Sequence, residues 1–398
     1  MIWLHLVLSN ASPLSSKIIE ENISAQDVYK NIDKYKIFGT NFVKRAKRTS
    51  LSKAEKIIEY CKQENISIVT YKDNNYPVKL LNISSPPLVL YYKGELPNFN
   101  SLPSLCMVGP RKVSDYGYKC AYSLAARFSI AGFIVVSGGA VGCDYAAHDG
   151  ALCHGGKTVA VLGNGFGDSY LKRNEPLRER IAEKGCLITE FPPKTKASKI
   201  TFPQRNRIMA GLCDGTVLVE APTKSGSLIT AGYAAEFGRD LFVIPGSPGN
   251  ENYVGSNLLL RDGAKPLLEI NDVFEEYLWK YPDKIDIEKS AAAKLLKPVI
   301  FDGSYKIENK KKENNGKKIE NIINKPINVK IIKKILPENL SKNAKMVYNC
   351  LDKQEFLCDD IFIAELSSAE ITAALGELEI FGFITSLPGG RYSLVIKE

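Results

Sequence analysis

None of the nine cysteines forms a C-x-x-C pair, and no histidine stands near one at ligand spacing. A zinc ribbon or finger is therefore not expected, and the scattered cysteines read as reduced, mostly buried thiols of a cytoplasmic protein. The sequence contains neither H-E-x-x-H nor G-x-S-x-G, which removes the metalloprotease helix and the nucleophile elbow from consideration. No acidic cluster suits a metal, and no apolar run approaches the length needed to cross a bilayer. The opening MIWLHLVL is apolar, but it is short, carries a histidine and lacks a basic flank. It reads as a buried first helix instead of a signal peptide. No metal, cofactor, membrane or catalytic residue is expected.

What is present is a chain of 398 residues, too long for one ordinary core and suggestive of two or three domains. Its net charge is +9, but residues 294–345 alone hold 14 lysines, no arginine and 5 acidic residues, a surplus equal to the whole charge. The remainder is neutral overall, so a polyanion site in the folded body must come from local clustering. The lysine-rich stretch reads as a solvated linker that adds salt-sensitive attraction to phosphates.

Residues 1–65 carry helical apolar spacing (Val28, Ile32, Tyr35; Ile57, Ile58, Cys61) and read as a small helical module of the SAM or helix-hairpin-helix kind. Residues 71–100 are rich in proline and contain one short strand, Leu88–Tyr92. From Leu105 apolar runs alternate with amphipathic segments. The spacing predicts strands at Leu105–Val108, Phe133–Val136, Thr158–Leu162, Cys186–Glu190, Thr216–Glu220 and Leu241–Ile244. Helices are expected between them at Tyr116–Ala131, Asp144–His154, Lys172–Lys184, Gln204–Gly211 and Ser227–Phe237. This alternation implies an α/β fold with a parallel, doubly wound, Rossmann-like sheet over residues 66–290. Residues 291–340 form the lysine-rich linker. Residues 341–398, with helices at Lys342–Leu351 and Ser368–Ile380 and a glycine-turned hairpin over 383–395, suggest a winged-helix domain. Its second helix carries Glu370, Glu377 and Glu379 but no lysine or arginine, which argues against ordinary major-groove binding.

Gly156-Lys157-Thr158 imitates the end of a phosphate-binding P-loop, yet it leads into the β-branched run Val159-Ala160-Val161 instead of opening a helix. Lys157 is expected to be a strand-entry residue. In a doubly wound sheet, ligands bind beyond the carboxyl ends of the strands. The segments expected there are Gly109-Pro110-Arg111-Lys112, Ser137-Gly138-Gly139-Ala140-Val141-Gly142 and Gly163-Asn164-Gly165. The long loop from Phe191 leads to Lys199 and Phe202-Pro203-Gln204-Arg205-Asn206-Arg207, followed by Ser225-Gly226-Ser227 and Pro245-Gly246. Glycines allow close backbone approach to phosphates, arginines and lysines supply charge, and Phe202 offers a face for a base. Singly, each has a plainer reading as a tight turn, a core aromatic or a surface ion-pair partner; their convergence on one edge favours binding over turnover. Asp144 and His148 lie one turn apart, and a hydrogen bond between them is expected to position the glycine loop.

Seven segments occur in order: VGPRKVSDYG, VVSGGAVGCDYAAHDGAL, GGKTVAVLGNG, ITEFPP, FPQRNRIMAGL, VLVEAPTKSGSLITAGYAAEFGRDLFVIPG and GSNLLLRDGA. Together they resemble the DNA-processing protein A family (DprA, also called Smf), from about Tyr71 to Glu269. The resemblance implies a non-enzymatic protein that binds single-stranded DNA without strong sequence preference, forms a homodimer and helps load the RecA recombinase in DNA uptake or recombination. Carried over by motif, Gly109, Arg111, Lys112 and the Ser137, Gly138, Gly139 turn would meet phosphates and Lys199 the backbone. Phe202 would lie against a base, with Arg205, Asn206, Arg207, Ser225 and Gly226 completing the pocket. The chain departs from the family pattern at Gly139, usually Leu or Met, and at Val141, usually basic. Pro110 and Ser256 replace a small polar residue and a cysteine. A different class, the Rossmann-like nucleotide-phosphate hydrolases of the lysine-decarboxylase-like group, shares glycine-rich strand ends, but its P-G-G-x-G-T motif is absent.

Overall fold

The computed structural model describes residues 1–168, 174–296, 340–351, 355–357, 361, 363, 366–387 and 391–394. The chain divides into two compact units, Met1–Ile307 and Glu308–Glu398.

The first unit opens with five helices: α1 (Ile2–Leu8), α2 (Leu14–Glu20), α3 (Ala25–Lys30), α4 (Thr40–Arg48) and α5 (Leu51–Gln63). The apolar opening is a buried helix, as its composition requires. Ile2, Trp3, Leu4, Val7 and Leu8 enter a core shared with Tyr91, Ala160 and Leu187 of the sheet. Of the helical stripe expected here, Val28, Tyr35 and Cys61 are buried whereas Ile58 faces solvent. Two polar links pin α1: the Trp3 indole donates to the Thr49 carbonyl at 2.7 Å, and His5 Nε2 lies 2.9 Å from the Glu190 carbonyl. Burial pushes the His5 imidazole down to about 4, so it is neutral and Nε2 must carry the proton to donate.

Nine strands form one sheet: β1 (Ser67–Thr70), β2 (Val89–Gly94), β3 (Ser104–Val108), β4 (Ile134–Ser137), β5 (Thr158–Val161), β6 (Cys186–Thr189), β7 (Gly215–Leu218), β8 (Asp240–Val243) and β9 (Lys265–Pro266). Strand β3 shows why the sequence builds a sheet covered on both faces. Leu105 and Met107 enter one core, Cys106 and Val108 the other, because successive side chains on a strand point to opposite sides. The crossovers are α6 (Asp115–Ile130), α7 (Cys143–Cys153), α8 (Glu175–Lys184), α9 (Thr201–Leu212), α10 (Ser227–Glu236) and α11 (Val254–Arg261), followed by α12 (Asn271–Leu278) and α13 (Ile287–Ala292). Phe128 of α6 and Phe274 of α12 lie in the first core, and Ile208 and Met209 of α9 in the second.

Spatial order is β1-β2-β6-β5-β4-β3-β7-β8-β9; β3 to β9 pair in parallel, while β1 and β2 are antiparallel at one edge. From β3 the chain steps outward through β4, β5 and β6, then returns to lay β7 on the opposite side of β3. The order therefore reverses between β3 and β7, which is where an open α/β sheet leaves a crevice. Lys157 immediately precedes β5 and opens no helix, as expected for strand entry. Among the described residues, no helix is long and apolar enough to cross a membrane.

The second unit contains α14 (Lys342–Cys350), β10 (Glu355–Leu357), α15 (Ser368–Ile380), β11 (Ile384–Leu387) and β12 (Arg391–Leu394), with the antiparallel sheet ordered β10-β12-β11. The glycine turn expected at 388–390 lies outside the described residues, as do 297–339 of the lysine-rich stretch. The acidic side chains of α15 serve its own fold: Glu370 completes a capping box with Ser367, Glu377 accepts from Ser341, the N-cap of α14, and Glu379 accepts from Ser386 N–H.

A cationic cleft at the reversal of strand order

An open cleft of about 380 Å³ lies at the β3/β7 reversal. Its walls come chiefly from three places. The loop after β3 supplies Gly109, Pro110 and Arg111; helix α9 supplies Phe202, Arg205 and Asn206; the loop after β7 supplies Lys224, Ser225 and Gly226 ahead of α10. Seven expected site residues therefore meet here: Gly109, Arg111, Phe202, Arg205, Asn206, Ser225 and Gly226.

The exposed guanidinium of Arg111 lies 5.3 Å from the Phe202 ring centroid, and that of the buried Arg205 lies 6.0 Å from it. Two cations and an aromatic face share one wall, each cation gaining from the ring quadrupole. Arg205 is fixed by donating to the Val161 carbonyl at the end of β5 and, through Nε, to Asn206 Oδ1 at 3.1 Å. Asn206 in turn donates to the Gly226 carbonyl at 3.4 Å, tying α9 to the start of α10. At that start Ser225 and Ser227 share a 2.6 Å hydrogen bond and line the cleft with Gly226, while the Ser227, Leu228 and Ile229 N–H groups turn back onto Ser225 Oγ, the Ser225 carbonyl and the Gly226 carbonyl.

One carboxylate lines the cleft. Asp144, near the start of α7, accepts from Ala140 N–H at 3.3 Å and so holds the glycine loop. Burial pushes its carboxyl up, opposed by the Arg205 charge and the Ala140 hydrogen bond. Burial likewise pulls Arg205 down, opposed by Asp144. His148 does not take part: its Nδ1 lies 2.7 Å from Thr158 Oγ1, which itself donates to the Val135 carbonyl. The expected Asp144–His148 bond is replaced by two separate anchors, one to the loop and one to β5. Burial lowers His148 to about 3, keeping it neutral inside the fold.

The other expected site residues lie outside the cleft lining. Lys112 and Lys199 are exposed, Lys112 beside Arg111 and Lys199 two residues before α9. Ser137, Gly138 and Gly139 are buried beneath the wall. Ser137 donates to the Met107 carbonyl at 2.8 Å, and a side chain on Gly138 would lie 2.1 Å from Arg205 Nη1. Gly139 has φ +65°, a conformation that suits the glycine standing where the family pattern has Leu or Met. Arg207 points away from the cleft: it is 2% exposed, ion-pairs with Glu190 and donates to the Ser85 carbonyl at 2.6 Å. Helical periodicity separates it from Arg205, because residues two apart lie on different faces. Lys224 and Thr230, which also line the cleft, were legible only as part of the loop and helix after β7. Among the described residues, no group of three or more His, Cys, Asp or Glu is placed to hold a metal.

Fold and cleft define a Rossmann-like α/β protein whose strand-order reversal carries a cationic and aromatic surface. The family model for DNA recombination-mediator protein A matches residues 67–278, and the chain belongs to that family. Protein Smf of Synechocystis sp. is 33% identical over 339 residues, covering 84% of this chain and 82% of its own length. DNA processing protein DprA of Streptococcus pneumoniae is 39% identical over 219 residues, 55% of this chain and 76% of the relative. The X-ray structure of DprA from Streptococcus pneumoniae superposes with a TM-score of 0.59 at 33% identity, covering 69% of this chain and 95% of that one. The DNA processing protein A structure from Helicobacter pylori, described for its single-stranded DNA binding mode, gives a TM-score of 0.50 at 28% identity, covering 54% and 97%.

Proposed function

We propose that the cleft binds single-stranded DNA without strong sequence preference, and that the chain acts as a recombination mediator that binds without turnover. The observation that carries this reading is the wall on which Arg111 and Arg205 flank Phe202 at the strand-order reversal. A base offers a π-face whatever its identity, and a phosphate meets the guanidinium groups; such a surface is sequence-tolerant. Duplex DNA hides base faces in its stack, so a single strand is the better ligand. The single-stranded DNA binding mode described for the Helicobacter pylori relative supports the same assignment. In this reading the exposed Lys112 and Lys199 add to the cationic track beyond the cleft lining. The Ser137–Gly139 turn and Arg207 act from beneath, by holding Arg205 and α9.

Family membership further supports a homodimeric, cytoplasmic protein that helps load RecA onto DNA. We assign residues 1–65 to a helical module, 66–290 to the DNA-binding domain, 291–340 to a linker and 341–398 to a winged-helix domain. The winged-helix assignment draws on the two helices and three-stranded sheet of the second unit.

The test is fluorescence anisotropy of labelled oligo-dT and of matching duplex over a salt series. The expected result is a single-strand preference that an Arg111→Ala/Lys199→Ala variant loses, with the oligo-dT salt slope falling by about 0.7 for each phosphate contact removed. Equal affinity for both forms, or a variant with unchanged affinity and slope, would overturn the assignment.

A further inference from the structure

Two parallel strands lead into the same short pattern of glutamate, one residue, proline: Glu190-Phe191-Pro192 after β6 and Glu220-Ala221-Pro222 after β7. Both glutamates are buried. Glu190 faces Arg207, whereas Glu220, 0% exposed, has no ion-pair partner among the described residues. A carboxylate two residues from Pro222, which lines a cationic cleft, opposes the anion that such a cleft would hold. Its presence calls for a compensating role.

Ser114 holds both carboxylate oxygens, with the Tyr253 hydroxyl beside them. Glu220 Oε1 accepts from Ser114 N–H at 2.7 Å, and Oε2 accepts from Ser114 Oγ–H at 2.7 Å. Ser114 is the N-cap of α6, where its Oγ accepts from Gly117 N–H at 3.0 Å. The fit is close: a side chain on Gly117 would lie 2.5 Å from Glu220 Oε2. Five residues, 109–113, connect β3 to this cap, and Arg111 stands in their middle. The other end of that loop is tied to α7, since the Pro110 carbonyl accepts from Cys143 N–H at 3.2 Å. Gly142 makes this approach possible: its φ is +79° and a Cβ there would lie 2.3 Å from the Arg111 carbonyl oxygen. The loop is therefore pinned on both sides of Arg111, by the α7 backbone before it and by Glu220 after it.

We infer that Glu220 is a positioning residue of the cleft, which acts through Ser114 to fix the loop that holds the Arg111 guanidinium over Phe202. This rests on reading the cleft as the single-stranded DNA site. A hydrogen-bonded charge at a helix N-terminus is a stiff anchor, because it satisfies donors that the helix itself leaves open. Arg111, exposed and long, depends on that anchor for its aim.

The test uses Glu220→Gln in the full chain, which keeps the shape but turns one acceptor into a donor. Hydrogen exchange of the free protein is expected to speed up at residues 109–117 while 227–236 in α10 stay as in the wild type. Oligo-dT binding is expected to weaken about tenfold, and Arg111→Ala to cost less in the Glu220→Gln background than alone, since coupled residues are not additive. Ser114→Ala, which removes the other end of the anchor, is expected to reproduce both effects and serves if Glu220→Gln does not fold. Unchanged exchange at 109–117, or losses that simply multiply, would overturn the inference. If Arg111→Ala alone leaves DNA binding intact, the functional reading fails, and the exchange result still decides whether Glu220 positions the loop.

Discussion

Arg205 and Arg207 are nearest like-charged neighbours on α9, yet their surroundings give them opposite tasks. Arg205 borders the cleft and keeps a face toward Phe202, whereas Arg207 is sealed against Glu190 with both side chains no more than 3% exposed. An isolated charge in such a place is far more costly than the pair. Arg207→Leu is therefore expected to destabilise the fold by about 3–5 kcal/mol, read as a lower urea midpoint, because it strands the Glu190 carboxylate. Replacing both partners, Arg207→Leu with Glu190→Leu, is expected to recover most of that loss. If the double variant is as unstable as the single one, the pair is not the source of the effect. Sequence alone grouped the two arginines, since both follow Phe202 in one basic segment. Only the helical phase and the glutamate that ends "ITE", over a dozen residues upstream, distinguish them.

At the scale of elements, strand and helix alternation from Leu105 onward was legible because each buried strand is a short apolar run and the crossovers are amphipathic stretches. Observed bounds differ from the expected ones by one to three residues, as at α6 and α9. Strand β1 was missed: it is four residues long, follows a helix with little punctuation, and buries only Val69 fully. Strand β9, two residues including a proline, carries no periodic signal at all. The cleft was legible as a set of loops because the parallel sheet forces successive carboxyl ends onto one edge. What could not be read was which glycines open onto the cleft and which lie beneath it. Gly163, at the end of β5, is of the second kind: an added Cβ would stand 2.7 Å from Phe202 Cδ1 and 2.9 Å from Cε1. Gly163→Ala is expected to displace that ring and weaken oligo-dT binding by about 1–3 kcal/mol, the worth of one stacked base. The salt slope should not move, since no charge is lost. A slope that falls together with affinity would show that something other than the ring had been disturbed.

Over the whole molecule, charge and fold are segregated. The cleft concentrates a few cations on a body that is neutral overall, while the excess of +9 resides in residues 294–345. These two sources of phosphate attraction differ in kind. On the proposed reading the cleft combines charge with an aromatic face, so part of its affinity is expected to survive high salt. The lysines are expected to act chiefly by displacing counterions, each phosphate contact on a single strand adding about 0.7 to the slope of log K against log salt. A chain ending at Ile307 keeps the first compact unit and loses most of those lysines. Its oligo-dT binding is expected to show a shallower slope than the full chain, by about one or more, with the two affinities converging at high salt. The Arg111→Ala loss should be as large in the shortened chain as in the full one, because the cleft is complete within the first unit. Equal slopes in the two chains would mean that the lysine-rich stretch does not touch DNA. A shortened chain insensitive to Arg111→Ala would mean that the binding measured in the full chain came from outside the cleft.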